Sequence, residues 1–488
     1  MELFMKYPNE VQHEILMNLV QFAKKTQVGR HYDFKSIRSY AEFARRIPVQ
    51  SYEEFEPQIE RARNGENNIF WPTPIKLFAK SSGTTNSKSK FIPVSEESLE
   101  DCHFAASKDL LCSYLNNNSD ASLFLGKSLR LGGSKQIYKD KGTSYGDLSA
   151  LLIDNMPFWA TYSSTPNNDI SLMNDWETKM QAIINETIHE NVTSLAGVPS
   201  WMLVLLNRVL DTTGAQNIKE VWPNLEVYFH GGVSFAPYIE QYKQLIPDTS
   251  FRYYEIYNAS EGFIAAKDQN DSDELLLFLD YGIFYEFIPM DTFGNEQETI
   301  IPLSEVEIGK NYAMVITTNA GLWRYKIGDT VKFTSLLPYR IKVSGRTKHF
   351  INAFGEELII ENAENALKET SKKLNVEIAE YTAAPIFMNG NKKGAHEWIV
   401  EFNKAPENPN EFVRILDQEL QQLNSDYEAK RKNNMTLNIL KLTIARKGLF
   451  YRWLSENDKL GGQHKIPRLA NNRKYVEELL IMNNSKAL

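Results

Sequence analysis

Val11, Ile15, Leu19 and Phe22 recur at helical spacing, and Gly29 follows as a C-cap. The run 75–80, Ile-Lys-Leu-Phe-Ala-Lys, predicts a strand that enters a polar cluster over 81–89. Ser95 then stands before Glu96 and Glu97, the pattern of an N-cap with an acidic first turn. Further on, 176–190 predicts a helix, 195–200 a strand and 201–210 a second helix. Strand-like runs follow at 225–229, 251–257 and 283–288. Strands alternating with helices predict an α/β sheet.

From about 275 to 335 the pattern changes. Short apolar runs succeed one another across turns such as 291–295 and Asn319-Ala320-Gly321, which predicts a small antiparallel, barrel-like β subdomain. Beyond 347 the chain is organised separately. A helix over 361–374, strands over 382–388 and 396–402, a stripe at Phe412, Leu416, Leu420 and Leu423, and an alternating strand at Leu440, Leu442 and Ile444 predict a compact α+β unit. The expected division is a large domain over 1–346 and a smaller one over 347–488.

Charge narrows the partners. The 488 residues carry a net charge of −8, which argues against nucleic acid as the main partner but leaves room for a small anion in a local pocket. Cys102 and Cys112 cannot build a disulfide framework and read as free thiols of a reducing compartment. No signal peptide and no membrane-length apolar run is visible, so a soluble cytoplasmic protein is expected.

Five segments carry candidate chemistry. The first, 81–90, reads Ser-Ser-Gly-Thr-Thr-Asn-Ser-Lys-Ser-Lys. Glycine lets successive N–H groups turn inward as an anion nest, and lysine adds a charge suited to phosphate. A polar surface loop would have the same composition, and no Walker pattern is present. The second, 254–262, is a Tyr-rich strand ending in Ala259-Ser260-Glu261-Gly262; Tyr257 offers a ring for a base and Glu261 an oxygen for Mg²⁺. The third places Asp329 after Gly328 at a strand end, able to accept from ribose hydroxyls or to bond its own turn. The fourth, 345–348, is charged and lies at the expected domain boundary, a hinge or a solvated linker. In the fifth, two glycines precede His464 and Lys465, a loop bearing a cation. No GxSxG, HExxH or GxGxxG motif and no metal-spaced histidines occur.

In order and spacing, the five together resemble the auxin-responsive (Gretchen Hagen) family of acyl-acid amido synthetases, within the adenylate-forming superfamily. The upstream segments 26–32, 52–55, 59–61, 64–66 and 70–75 resemble the family's N-terminal pattern. The resemblance implies an adenylate-forming α/β body with a mobile C-terminal lid. It also implies a reaction in two steps, in which a small carboxylic acid is adenylated by ATP and its acyl group passes to an amino acid amine. On that carry-over Ser81, Ser82, Gly83, Thr84, Thr85 and Lys90 form the phosphate loop. Gly232 lies in the segment lining the adenine and acyl site. Tyr257, Ala259, Ser260 and Glu261 form the adenine and Mg²⁺ motif. Asp329 is the ribose ligand, Lys348 the hinge and Lys465 the catalytic lysine. Ser87 stands where the family more often has glycine. The segment 129–134 gives no substrate signature, although Arg130 could clamp an acid. A thiol acceptor such as coenzyme A would use the same first step. A monomer or weak dimer is expected.

Overall fold

The computed structural model describes every residue except 82–89, 133–136, 141, 174, 234, 236–237, 348–349, 357, 390–391, 433–436, 458–465 and 485–488. Strand β1 (Leu77–Ser81) and β2 (Lys90–Val94) pair antiparallel on either side of the polar segment 82–89 in the sequence, Ser81 standing opposite Lys90. Four strands then lie parallel: β3 (Lys127–Leu131), β4 (Val192–Gly197), β5 (Val227–Gly231) and β6 (Arg252–Ala259). The connections between them carry α1 (Leu148–Asp154), α2 (Trp176–Thr187), α3 (Pro199–Thr213) and α4 (Ile239–Leu245). Helices cover these strands, and the near-continuous burial of 192–195 and 227–230 follows from it.

At Ser260-Glu261 the chain reverses into β7 (Gly262–Lys267), and the sheet becomes antiparallel. It continues through β8 (Leu275–Leu277), β9 (Ile283–Pro289), β10 (Asn311–Thr318), β11 (Tyr325–Leu336) and β12 (Tyr339–Arg346). The spatial order β9-β10-β11-β12-β8-β7-β6-β5-β4-β3 shows that these strands extend the parallel sheet, with one two-residue strand at each edge. The sequence pattern revealed the antiparallel change but not this continuity, because strand pairing over such separations leaves no periodic mark.

The tail supplies α5 (Ile360–Leu374), β13 (Glu377–Ile386), β14 (Ala395–Lys404), α6 (Pro409–Leu423) and β15 (Lys441–Ala445). Its three strands form their own sheet, in the order β13-β14-β15. Its apolar side chains share a core with the parallel half of the body: Leu195, Leu206 and Tyr238 belong to the same cluster as Phe354, Trp398 and Leu416. Polar contacts pin the junction. Trp201 Nε1 donates to the Phe354 carbonyl at 3.1 Å and Tyr238 Oη to that of Ala353 at 2.8 Å. The Glu356 carboxylate accepts from the Phe354 N–H at 2.6 Å and lies 2.8 Å from His396 Nε2, both side chains fully buried.

Two readings need correction. Gly29 does not cap the first long helix, which ends at Ala23. It lies buried in a further helix, Gln27–His31, where a Cβ would meet the Ala23 carbonyl oxygen at 2.1 Å. Asp329 is not at a strand end. Gly328, with φ +93°, and Asp329 sit in a bulge within β11, where the register against β10 shifts.

Candidate active site

The carboxyl ends of the parallel strands meet on one cavity of about 890 Å³. Gly132 beyond β3, Gly197 ending β4, Gly231 ending β5 and Ala259 ending β6 all line it. This is where ligands gather in parallel α/β sheets, since side chains there are positioned by strands yet free of the helices. Gly231 must be glycine, because a Cβ would stand 2.3 Å from the Ile256 carbonyl oxygen.

The polar wall is built on β6, β11 and β12. Asp329 opposes Arg346 across the β11–β12 ladder, and Arg346 Nε donates to its Oδ1 at 2.7 Å. Tyr257, on β6, donates from Oη to Oδ2 at 2.5 Å. Burial and the neighbouring Asp329 carboxylate both hold the Tyr257 phenol protonated, well above its ordinary range. Asp329 thus bonds to the body through both oxygens, a pairing that spacing alone could not show.

Glu261, in the turn after β6, faces the same cavity. Burial pushes its carboxyl up to about 7 and Asp329 adds to the rise, while Lys90 and Arg346 oppose it. Among the described residues no side chain hydrogen-bonds to this carboxyl. A desolvated carboxylate facing a cavity is suited to a hard cation with oxygen ligands, so Mg²⁺ arriving with a nucleotide fits the residue present. Lys90, at the start of β2, lines the cavity with its Nζ 5.4 Å from the centre of the Tyr52 ring. Ala259, Ser260 and Gly232 lie on the same wall. Gly232 has φ +82°, and its carbonyl accepts from Asn352 Nδ2 at 3.3 Å.

The remaining wall is largely apolar. Leu131, Leu148, Leu152, Val198 and Trp201 face the cavity from β3, α1 and α3. Phe350, Phe387 and Asn471 close it from the tail. Of the sequence-predicted residues, the structure brings together Lys90, Gly232, Tyr257, Ala259, Ser260, Glu261 and Asp329. Ser81 is present as the last residue of β1. Ser82, Gly83, Thr84, Thr85, Lys348 and Lys465 lie outside the described residues.

Sequence reasoning missed Arg346, which stood in the charged segment read as a hinge or a solvated linker. It also missed His103. That buried imidazole, pushed down to about 4 by burial, is neutral, and its Nδ1 lies 3.0 Å from the Oδ1 of Asn258 on the cavity wall. No signal beyond the Tyr-Asn-Ala-Ser-Glu motif itself pointed to that pair.

Among the described residues no helix is long and apolar enough to cross a membrane. Family models match in three pieces: the GH3 family N-terminal domain over residues 1–251, the central domain over 276–346 and the C-terminal domain over 361–474. A jasmonoyl–L-amino acid synthetase of Nicotiana attenuata, JAR4, is 23% identical, covering 96% of this chain and 92% of its own length. An indole-3-acetic acid-amido synthetase of Arabidopsis thaliana, GH3.4, is 22% identical over 94% and 89%. Among solved structures, the acyl acid amido synthetase AtGH3.15 in complex with 2,4-DB superposes with a TM-score of 0.62 at 18% identity, covering 97% of this chain and 93% of that one. A 2-hydroxyisobutyryl-CoA ligase superposes at 0.58 with 12% identity, covering 98% and 93%. At such identities these likenesses speak to the fold.

Proposed function

This chain belongs to the GH3 family, and on that footing we propose that it is an ATP-dependent acyl-acid amido synthetase. The observation that carries the reading is one cavity with two unlike walls. Tyr257, Asp329, Arg346, Glu261 and Lys90 converge on one side, and an apolar wall suited to an acyl group stands on the other.

In the first step an oxygen of the acid's carboxylate attacks the α-phosphorus of ATP, the bond to the β-phosphate oxygen breaks, and pyrophosphate leaves. In the second, the amine of an amino acid attacks the acyl carbonyl carbon, the bond to the AMP oxygen breaks, and a proton leaves the nitrogen. The chain needs no covalent intermediate. Its residues orient the reactants and stabilise charge where it develops. The Tyr257 ring offers a face to the base, and Asp329, held by Tyr257 and Arg346, accepts from the ribose. Lys90 faces the phosphates, and residues 81–85 are assigned to them from the resemblance alone. Glu261 is the ligand for Mg²⁺, which when bound neutralises phosphate charge.

Lys465 is assigned to the reacting centre from the resemblance. In its support, Asn471, six residues later, lines the cavity and accepts from the Asn352 N–H at 2.6 Å. Residues 347–488 act as a lid turning about Lys348, a motion that must break the Trp201–Phe354 and Tyr238–Ala353 bonds.

The test is acid-dependent exchange of pyrophosphate into ATP, followed by mass analysis of the product with a mixture of amino acids or with coenzyme A. Exchange and an amide are expected. A thioester alone would replace the acceptor, and no exchange with any acid would overturn the reading.

A further inference from the structure

The apolar end of the cavity is held from behind by a buried cation. Lys179, on α2, has no exposed surface. Its ammonium donates to the Gly132 carbonyl at 3.2 Å and to the Ser171 carbonyl at 2.6 Å. Gly132 follows β3 directly and lines the cavity. It is pressed onto α1: a Cβ at this position would meet Ile153 Cδ1 at 2.9 Å and Ser149 Cβ at 3.6 Å. Ser171 closes the short helix Asn168–Ser171, whose Asn168 Nδ2 reaches the Ile153 carbonyl, also on α1, at 3.5 Å. One ammonium therefore ties together the end of β3 and a segment bonded to α1. Leu148, Ser149 and Leu152 of α1 are themselves cavity wall. On the same helix as Lys179, Trp176 packs edge-to-face on Trp201 at 6.0 Å, so α2 also supports the next part of the wall.

Burying an ammonium is unfavourable, and burial pushes this one down to about 8 while Asp147 opposes the shift. A methionine would fill much of the same volume without that penalty. What methionine lacks is the ability to hold two carbonyl oxygens of different segments at once.

We propose that Lys179 is a positioning residue for the acyl-acid wall. By gripping the Gly132 and Ser171 carbonyls it fixes the end of β3 against α1, and so sets the width of the acid's site without touching the acid. The proposal rests on the reading of this cavity as an acyl-acid site.

The test is Lys179→Met in the full chain, read by hydrogen exchange and by kinetics. The acid probes are benzoate, hexanoate and indole-3-acetate. Amide exchange over 127–132 and 148–155 is expected to quicken by about tenfold, with 252–262 unchanged. The KM for any acid that supports pyrophosphate exchange should rise about tenfold, while kcat and the KM for ATP stay within about twofold. Unchanged protection over 127–132 and 148–155 overturns the proposal, as does an equal rise in both KM values. If no acid supports exchange even in the wild type, the functional reading fails, and hydrogen exchange still decides the role of Lys179. Should the methionine variant not fold, Lys179→Gln, whose planar amide is one atom shorter and cannot hold both carbonyls in the lysine's geometry, is judged by the same criteria.

Discussion

Two charged clusters meet at β11, and they differ in what is left unsatisfied. At its start, Arg324 and Glu286 are both buried and bond twice, Nε to Oε2 at 2.8 Å and a terminal nitrogen to Oε1 at 2.7 Å. Tyr40 donates to the same carboxylate at 2.9 Å, and Arg324 also caps the Ala44 and Ile47 carbonyls at 2.8 and 2.7 Å. Five residues on, Asp329 is bonded through both oxygens, but its neighbour Glu261 faces an open cavity with a carboxyl that burial keeps partly protonated near neutrality. A closed network braces the helix Tyr40–Arg46 to the sheet, whereas the second leaves one carboxyl turned into a cavity.

Arg324→Met should have the largest effect. It strands a buried carboxylate, so a loss of about 3–5 kcal/mol in urea unfolding is expected. Pairing it with Glu286→Leu should recover most of that loss. If the single change costs nothing, the brace is not what holds the helices.

Glu261→Gln should do the reverse. Acid-dependent pyrophosphate exchange should fall about 100-fold, or ~2.7 kcal/mol at 1.36 kcal/mol per decade, with the melting temperature unchanged or higher. A stable variant with wild-type exchange would remove Glu261 from the site.

Tyr257→Phe is expected to be milder. It removes one donor from Asp329 while Arg346 remains, so the KM for ATP should rise by about tenfold. A change confined to the KM for the acid would detach Tyr257 from the nucleotide.

The smallest effect is on stability against pH. The carboxyl of Glu261 titrates at about 7 in the fold, against about 4.3 unfolded. The native state therefore holds more protons between these values, and its contribution to stability falls as pH rises through that window and is constant above it. Thermal unfolding from pH 5 to 8 should show this decline in the wild type relative to Glu261→Gln. Parallel curves would mean that the carboxyl is ordinary.

What was legible in the sequence was whatever a local pattern encodes. Three of the four parallel strands announced themselves as apolar runs, whereas Lys127–Leu131 did not, and Ser95 accepts from the Ser98 N–H at 2.9 Å, as its place before two glutamates suggested. The Tyr257–Glu261 motif and Asp329 reached one cavity because each is fixed to a strand of one sheet. Long-range pairing was not legible. Arg346 looked like a hinge charge because its partner is seventeen residues away across a bulged ladder. Lys179 drew no reading at all, because nothing local shows that the Gly132 and Ser171 carbonyls come together at its ammonium.

The core shared between the parallel half of the body and the tail has a consequence for how the protein is made. Chains emerge from the ribosome N-terminus first, and their domains usually fold in that order. Here the apolar cluster that holds Leu195, Leu206 and Tyr238 runs on into Phe354, Trp398 and Leu416, and Tyr238 bonds to the Ala353 carbonyl. During synthesis that cluster is therefore completed only after more than a hundred further residues have followed Tyr238.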